Sequence, residues 1–292
     1  MRNVICFLMS LLLLGGPRLS SAADNHPSGT FTNAFFPFCI DWHDSKKRNF
    51  EQQSNMLKEL GYSGMGHIWL DKVDERLKAL DENNLKLYQI TMTVDIKPDK
   101  PVCDPRLKHV MTLLKGRGTQ ILLLINGMKP SDPAGDDKAV ALVREIAAMG
   151  RDSGVQILLY PHTGLWLERF EDAMRIEKKV ARPNVGTMFN LCHWLRVSKD
   201  RNYRPLLEAG KDKLFAVSIN GADEWDPQPG WARYIQPLGC GSFDVLAFLK
   251  TLKEIGFTGP VGLQCYGIGG DARDHLAESM ATWRDYCRRL SQ

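Results

Sequence analysis

Residues 238–264 read LGCGSFDVLAFLKTLKEIGFTGPVGLQ, and this stretch narrows the fold more than any other in the chain. A Gly-rich turn at Gly239 and Gly241 leads into Val245, Phe248, Leu249, Leu252 and Ile255, spaced by three and four residues and closed by Gly256. That spacing predicts an amphipathic helix with a glycine stop. A short apolar strand, 260–264, follows at once and ends on the polar Gln264. Helix, tight turn and strand in that order form the repeating unit of a parallel α/β fold. Ligands in such folds sit at the polar ends of the strands.

The same alternation runs through the chain from Phe35. Strands are expected at 35–40, 64–69, 86–94, 120–125, 156–160, 185–189, 214–219 and 260–264. Helices are expected at 47–60, 72–80, 106–114, 137–149, 166–180, 204–209, in the stretch above, and at 272–290. The run QILLLI at 120–125 is apolar throughout, as a strand buried on both faces must be. Eight strand–helix pairs without a linker match the size and repeat of a single (β/α)8 TIM barrel over residues 24–292. A doubly wound open sheet would want a Gly-rich phosphate loop after its first strand, where this chain has Asp41-Trp42-His43-Asp44.

Residues 1–23 stand apart from that pattern. Arg2 precedes an apolar run from Val4 to Leu14, and Ser21-Ala22-Ala23 offers small residues for cleavage, the arrangement of a secretory signal peptide. The run is shorter than the ~20 residues a membrane-spanning helix needs. Export is expected, with no membrane association after cleavage. Without Arg2 and Arg18 the chain keeps 36 basic against 34 acidic side chains, spread evenly, so no basic stripe marks a nucleic-acid partner. Cys39, Cys103, Cys192, Cys240, Cys265 and Cys287 contain no CxxC spacing. Packing of small thiols is the expected role of those near strands.

The predicted strand ends are rich in amides and imidazoles: Asp41, His43, His67, Thr91, Thr93, Asn126, His162, Asn190, His193, Ser218, Asn220, Gln264 and Tyr266. Each alone reads as a satisfied structural residue; convergence on one barrel face would make them a site. Imidazole titrates near neutral pH, so His162 and His193 are the expected acid/base pair. His67, Asn126, Asn190, Asn220, Gln264 and Tyr266 are expected to bind substrate, the amides donating to and accepting from hydroxyls. Trp42, Trp69, Trp166 and Trp194 offer apolar platforms near strand ends. The segment 221–238 has the length of a binding loop or lid, with Asp223, Glu224, Trp225 and Arg233 as its chemical groups.

Gly239, Gly241, Asp244, Leu252, Lys253, Gly256, Phe257, Gly259, Leu263 and Gln264 together resemble the closing motif G-x-G-x-x-D … L-K-x-x-G-[YF]-x-G-x-[VIL]-x-L-E of the xylose-isomerase-like TIM barrels, the sugar and sugar-phosphate isomerases and epimerases. Tyr160-Pro161-His162-Thr163-Gly164 resembles the family's L-E-N-H-G, and Asn190-Leu191-Cys192-His193 its D-x-x-H. The resemblance implies proton transfer beside the carbonyl of a sugar or keto-sugar: isomerisation, epimerisation, or hydration or elimination. It also implies a divalent metal site. Here its ligand positions carry Tyr160, Asn190, Ser218 (or Asn220) and Gln264, so carboxylate charge is missing. No metal is assigned; weak Mn, Zn or Mg binding through His162, His193 and Gln264 stays open. The alternative is an inactive barrel that binds a sugar or a protein.

Overall fold

The computed structural model describes residues 31–97, 103–225 and 230–292; the expected signal peptide lies outside them. The strands are β1 (Phe35–Phe38), β2 (Gly64–Ile68), β3 (Lys86–Asp95), β4 (Gln120–Asn126), β5 (Gln156–Leu159), β6 (Val185–Asn190), β7 (Leu214–Ile219) and β8 (Val261–Gln264). The helices are α1 (Phe50–Leu60), α2 (Val73–Asp81), α3 (Leu107–Leu113), α4 (Asp136–Arg151), α5 (Phe170–Val180), α6 (Leu191–Val197), α7 (Arg204–Gly210), α8 (Val245–Glu254) and α9 (Ala272–Leu290). Local chemistry sets their ends. Asn49 and Gln52 exchange side-chain-to-backbone hydrogen bonds of 2.9 and 3.0 Å at the start of α1, and Asp244 accepts from the Ala247 amide at the start of α8. Such caps contribute about 1 kcal/mol each.

All eight strands belong to one parallel sheet in the order β1-β8-β7-β6-β5-β4-β3-β2. The sheet curls into a nearly closed (β/α)8 barrel, as the strand–helix repeat predicts. At the remaining seam, between β1 and β2, Ser63 reaches Phe35 O through its backbone N (3.4 Å) and its Oγ (3.0 Å). Because side chains alternate across a strand, one set of rows faces the helices and the other fills the barrel. Ile121, Leu123 and Ile125 of β4 belong to the outer core with the helices. Leu122 and Leu124 pack inside with Leu158, Tyr160, Met188 and Ala216. Below this layer Gln89 donates to Gln120 and Gln120 to Gln156, at 2.9 and 3.0 Å. This amide chain spans three strands; Gln89 Oε1 at its head has no partner among the described residues.

Several element ends shift by one to four residues from the sequence expectation, and two departures bear on the site. The helix expected from residue 166 begins at Phe170. Trp166 is instead fully buried in the preceding loop, its Nε1 donating to Asp132 O at 2.7 Å, and a Cβ on Gly135 would stand 2.5 Å from that nitrogen. The short α6, directly after β6, was not expected. Its first five residues are all buried, so it has no polar face and no amphipathic period to read.

Candidate active site

The inward rows end, at the C-terminal side of the strands, in a cavity of about 240 Å³. Its lining includes the buried Thr91, Leu124, Tyr160, His193 and Gln264 and the exposed Trp42, Trp69 and Tyr266. Trp231, from the loop after β7, closes one side: its ring meets that of His193 edge-on at 4.9 Å. Arg196 of α6 stacks over Trp231 at 5.6 Å and donates to Gly230 O. No Lys, Arg, Asp or Glu side chain is among the described lining residues. A larger hollow of about 1060 Å³ lies along α8, beside residues 31–34, 256–258 and the end of α9. Strand ends contribute nothing to it, so the chemistry belongs to the smaller cavity.

Tyr160-Pro161-His162-Thr163-Gly164 leaves β5 in a tight turn, with the Leu165 amide donating to His162 O and Gly164 at φ +82°, where a side chain would strain the backbone. The turn sets His162 against His193 of α6, ring centroids 3.9 Å apart. One residue between them fixes both tautomers. The Thr163 carbonyl lies 3.0 Å from His162 Nδ1; a carbonyl only accepts, so Nδ1 carries the proton and Nε2 is a bare acceptor. The Thr163 amide lies 3.3 Å from His193 Nδ1; an amide only donates, so Nδ1 is bare and Nε2 carries the proton. Burial lowers the pKa of His162, and burial together with the neighbouring His162 lowers that of His193 well below the usual imidazole range. Both rings are neutral at neutral pH. The pair therefore presents one free base and one N–H donor.

Behind the imidazoles stands Tyr160, its ring 6.0 Å from that of His193. Asn190 donates through Nδ2 to the phenol oxygen, while its Oδ1 accepts from the Cys192 thiol. Gln264 Oε1 accepts from the Tyr266 backbone amide at 3.0 Å, which leaves its NH₂ for the cavity that it lines together with Tyr160. Burial pushes the phenol pKa far up, and the two amides offset only part of that. Tyr160 therefore keeps its proton. Ser218 Oγ, fully buried on the inward row of β7, has no hydrogen-bond partner among the described residues.

The sequence profile of the xylose isomerase-like TIM barrels matches residues 53–286. The chain belongs to that family. Among relatives of the xylose isomerase-like barrel is an inosose isomerase of Bacillus velezensis, 24% identical over an alignment of 244 positions that covers 75% of this chain and 84% of that enzyme. A D-allulose 3-epimerase from Methylomonas sp., solved with D-allulose, superposes with a TM-score of 0.69 at 16% identity, over 88% of this chain and 97% of that one. The IOLI protein, solved with a bound zinc atom, gives 0.69 at 19% identity, over 88% and 99%.

Within this barrel the structure brings together His162, His193, Gln264 and Tyr266 on the cavity and sets Asn190 directly behind Tyr160. Three expected binding residues stand elsewhere. His67 is on the outer face of β2: its Nε2 meets Asp71 O at 2.8 Å and its Nδ1 accepts from Arg76. Asn220 holds the loop after β7 by donating to Gly221 O and Tyr234 O. Asn126, at the end of β4, is exposed and outside the cavity lining. Trp166 and Trp194 pack in the core, whereas Trp42 and Trp69 line the mouth. Trp231, the lid contact, has no motif to single it out among the residues of its loop.

Of the ligand positions that the resemblance implies for a divalent ion, Asn190 donates to the Tyr160 phenol and Gln264 lines the cavity with it, while Ser218 Oγ bonds to neither. Gln264 offers the centre an N–H rather than an oxygen, since Oε1 is held by Tyr266, and Asn190 does the same. N–H donors repel a cation, and an oxygen-coordinated divalent ion needs carboxylate charge. No group of three or more His, Cys, Asp or Glu among the described residues is placed to hold a metal. The donor set does not fit the ion.

Proposed function

We propose that this chain is an enzyme that moves a proton next to the carbonyl of a small uncharged sugar or keto-sugar, as an isomerase or epimerase does. The observation that carries the reading is the complementary pair of neutral imidazoles facing one cavity. His162 Nε2 takes the proton from the carbon beside the carbonyl, the C–H electron pair moves into a C=C bond, and the carbonyl π pair moves to oxygen. His193 Nε2–H polarises that oxygen. A neutral imidazole suits this electrophilic role, and a lowered pKa keeps the base unprotonated at neutral pH. A cavity of about 240 Å³, below the roughly 300 Å³ at which drug-sized sites begin, suits one sugar ring. Its described lining residues carry no charged side chain and so offer nothing to pair with a phosphate or carboxylate, whose burial would then be costly. The inosose isomerase and the D-allulose epimerase among its relatives support the reaction class.

The test is exchange of substrate C–H protons in deuterated water over a panel of free sugars and keto-sugars. Exchange should appear with at least one, and His162→Ala and His193→Ala should each abolish it without unfolding the protein. Activity in a double variant would overturn the assignment. We also propose export, on the charged, apolar and small-residue segments of 1–23. Mature material should begin near Ala23, and exported protein that still carries residues 1–14 would refute it.

A further inference from the structure

We propose that Tyr160 is a further catalytic residue, a hydrogen-bond donor to the carbonyl oxygen of the substrate at the centre where the resemblance implies a divalent ion, with Asn190 and Gln264 as its positioning residues. The inference rests on the proton-transfer reading above and names the group that receives the charge this transfer develops. Three observations support it. Tyr160 belongs to the cavity lining although it is 97% buried, with a relative exposure of 3%. The Gln264 amide is locked by the Tyr266 backbone N–H, so it can only donate inward. The Asn190 amide donates into the same oxygen. With the Asn190 donor on its oxygen, the phenol has its own O–H left for an acceptor, and the incoming donor makes that O–H a stronger one.

The step balances without a co-reactant. As His162 takes the carbon-bound proton and charge develops on the carbonyl oxygen, the His193 Nε2–H and the Tyr160 O–H both hydrogen-bond to that oxygen. The proton returns from His162 to the same or the neighbouring carbon, the pair on oxygen re-forms the carbonyl, and both donors keep their protons. Donors aimed in advance at the position of developing charge are an established source of rate enhancement, and removing one typically costs 100- to 1000-fold.

Tyr160→Phe removes the donor and keeps the ring. With whichever panel sugar shows exchange, this variant should lose at least ~100-fold in kcat with KM changed no more than a few-fold. Prolonged chelation should leave the unaltered protein fully active. Full activity in Tyr160→Phe, or exchange that chelator abolishes and one equivalent of Zn²⁺ or Mn²⁺ restores, would overturn the proposal. A second measurement stands apart from activity: calorimetric titration of the unaltered protein with ZnCl₂ and MnCl₂. Binding weaker than about 1 mM is expected of a centre without carboxylates. One ion per chain at about 10 µM or tighter, lost in Gln264→Ala, would show a metal centre. If no sugar exchanges, the catalytic role of Tyr160 falls with the function reading, while the donor-lined centre still stands or falls by this titration.

Discussion

Gln264→Glu restores the residue that the family resemblance implies, and it should impair this protein rather than improve it. Gln264 is 4% exposed; its Oε1 accepts from the Tyr266 amide, and its NH₂ faces a phenol that keeps its proton. A carboxylate there retains that bond but loses the N–H donor, and it meets no cation among the described lining residues. The phenol would turn its O–H onto the new acceptor and away from the substrate. Burial would raise the introduced carboxyl above its ordinary pKa of about 4.3. A raised native pKa contributes stability that is present at low pH and lost as pH rises through the native value. The variant should therefore lose about 1–3 kcal/mol relative to the unaltered protein at neutral pH, or roughly 2–10 °C in Tm, and recover part of it near pH 4.5. Differential scanning fluorimetry across pH, with and without 1 mM MnCl₂, measures both. Refutation would be a variant whose Tm is unchanged at neutral pH and rises on adding Mn²⁺. A Kd of about 10 µM would contribute roughly 2.7 kcal/mol at that concentration, and such a gain would mean that the centre accepts an ion once one charge is supplied.

Other outcomes can be checked with the same material. His67, His162, His193 and His275 all have pKa values lowered by burial. Their contribution to stability is complete above the unfolded value of about 6.5 and is lost as pH falls through the native values, about 1.4 kcal/mol per unit of depression. Urea midpoints should fall between pH 7 and pH 5, and a flat profile would contradict the buried neutral state. Arg76 is fully buried, pairs with Asp41 at 2.8 Å, donates to Gln53 at 2.7 Å and stacks on Phe50. Arg76→Ala leaves those partners unsatisfied and should cost about 3–5 kcal/mol in chemical denaturation; a loss under 1 kcal/mol would mean water fills the space freely. Phosphorylated sugars should bind at least tenfold more weakly than their free counterparts by calorimetry, and a preference for the phosphate would place a cation in the site.

The barrel was legible because its signal is repeated eight times: each apolar strand and amphipathic helix carries its own period, and one misread boundary changes nothing in the count. The site depends on single residues, for which period alone is ambiguous. His67 shows this. It lies between the inward-facing Gly66 and Ile68 on β2, and the bulge between Met65 and Gly66 is invisible in the sequence. Nothing local told which way the imidazole faces, and a shift of one residue exchanges the two faces of a strand. His162 and His193 were found because short motifs carried them, not because their contact could be derived. Their tautomers needed the position of Thr163. The loss of carboxylates at the metal positions was plain from Asn190 and Gln264. That the Tyr160 hydroxyl accepts from Asn190 could be read only once the two side chains were placed.

The seam between β1 and β2 gives the barrel a preferred place to yield. Every other neighbouring pair of strands shares a ladder, whereas here Ser63 alone, among the described residues, bonds across to Phe35. Trp42 follows β1 and Trp69 follows β2, so the two tryptophans at the mouth of the cavity stand on either side of this joint. Widening of the mouth thus draws on the elasticity of the hoop itself, and a gate built that way needs no separate hinge. Amide protons of β1 and β2 on that side should exchange ahead of those in β4 and β5, and a ligand spanning the two indoles should slow them, acting as the missing stave.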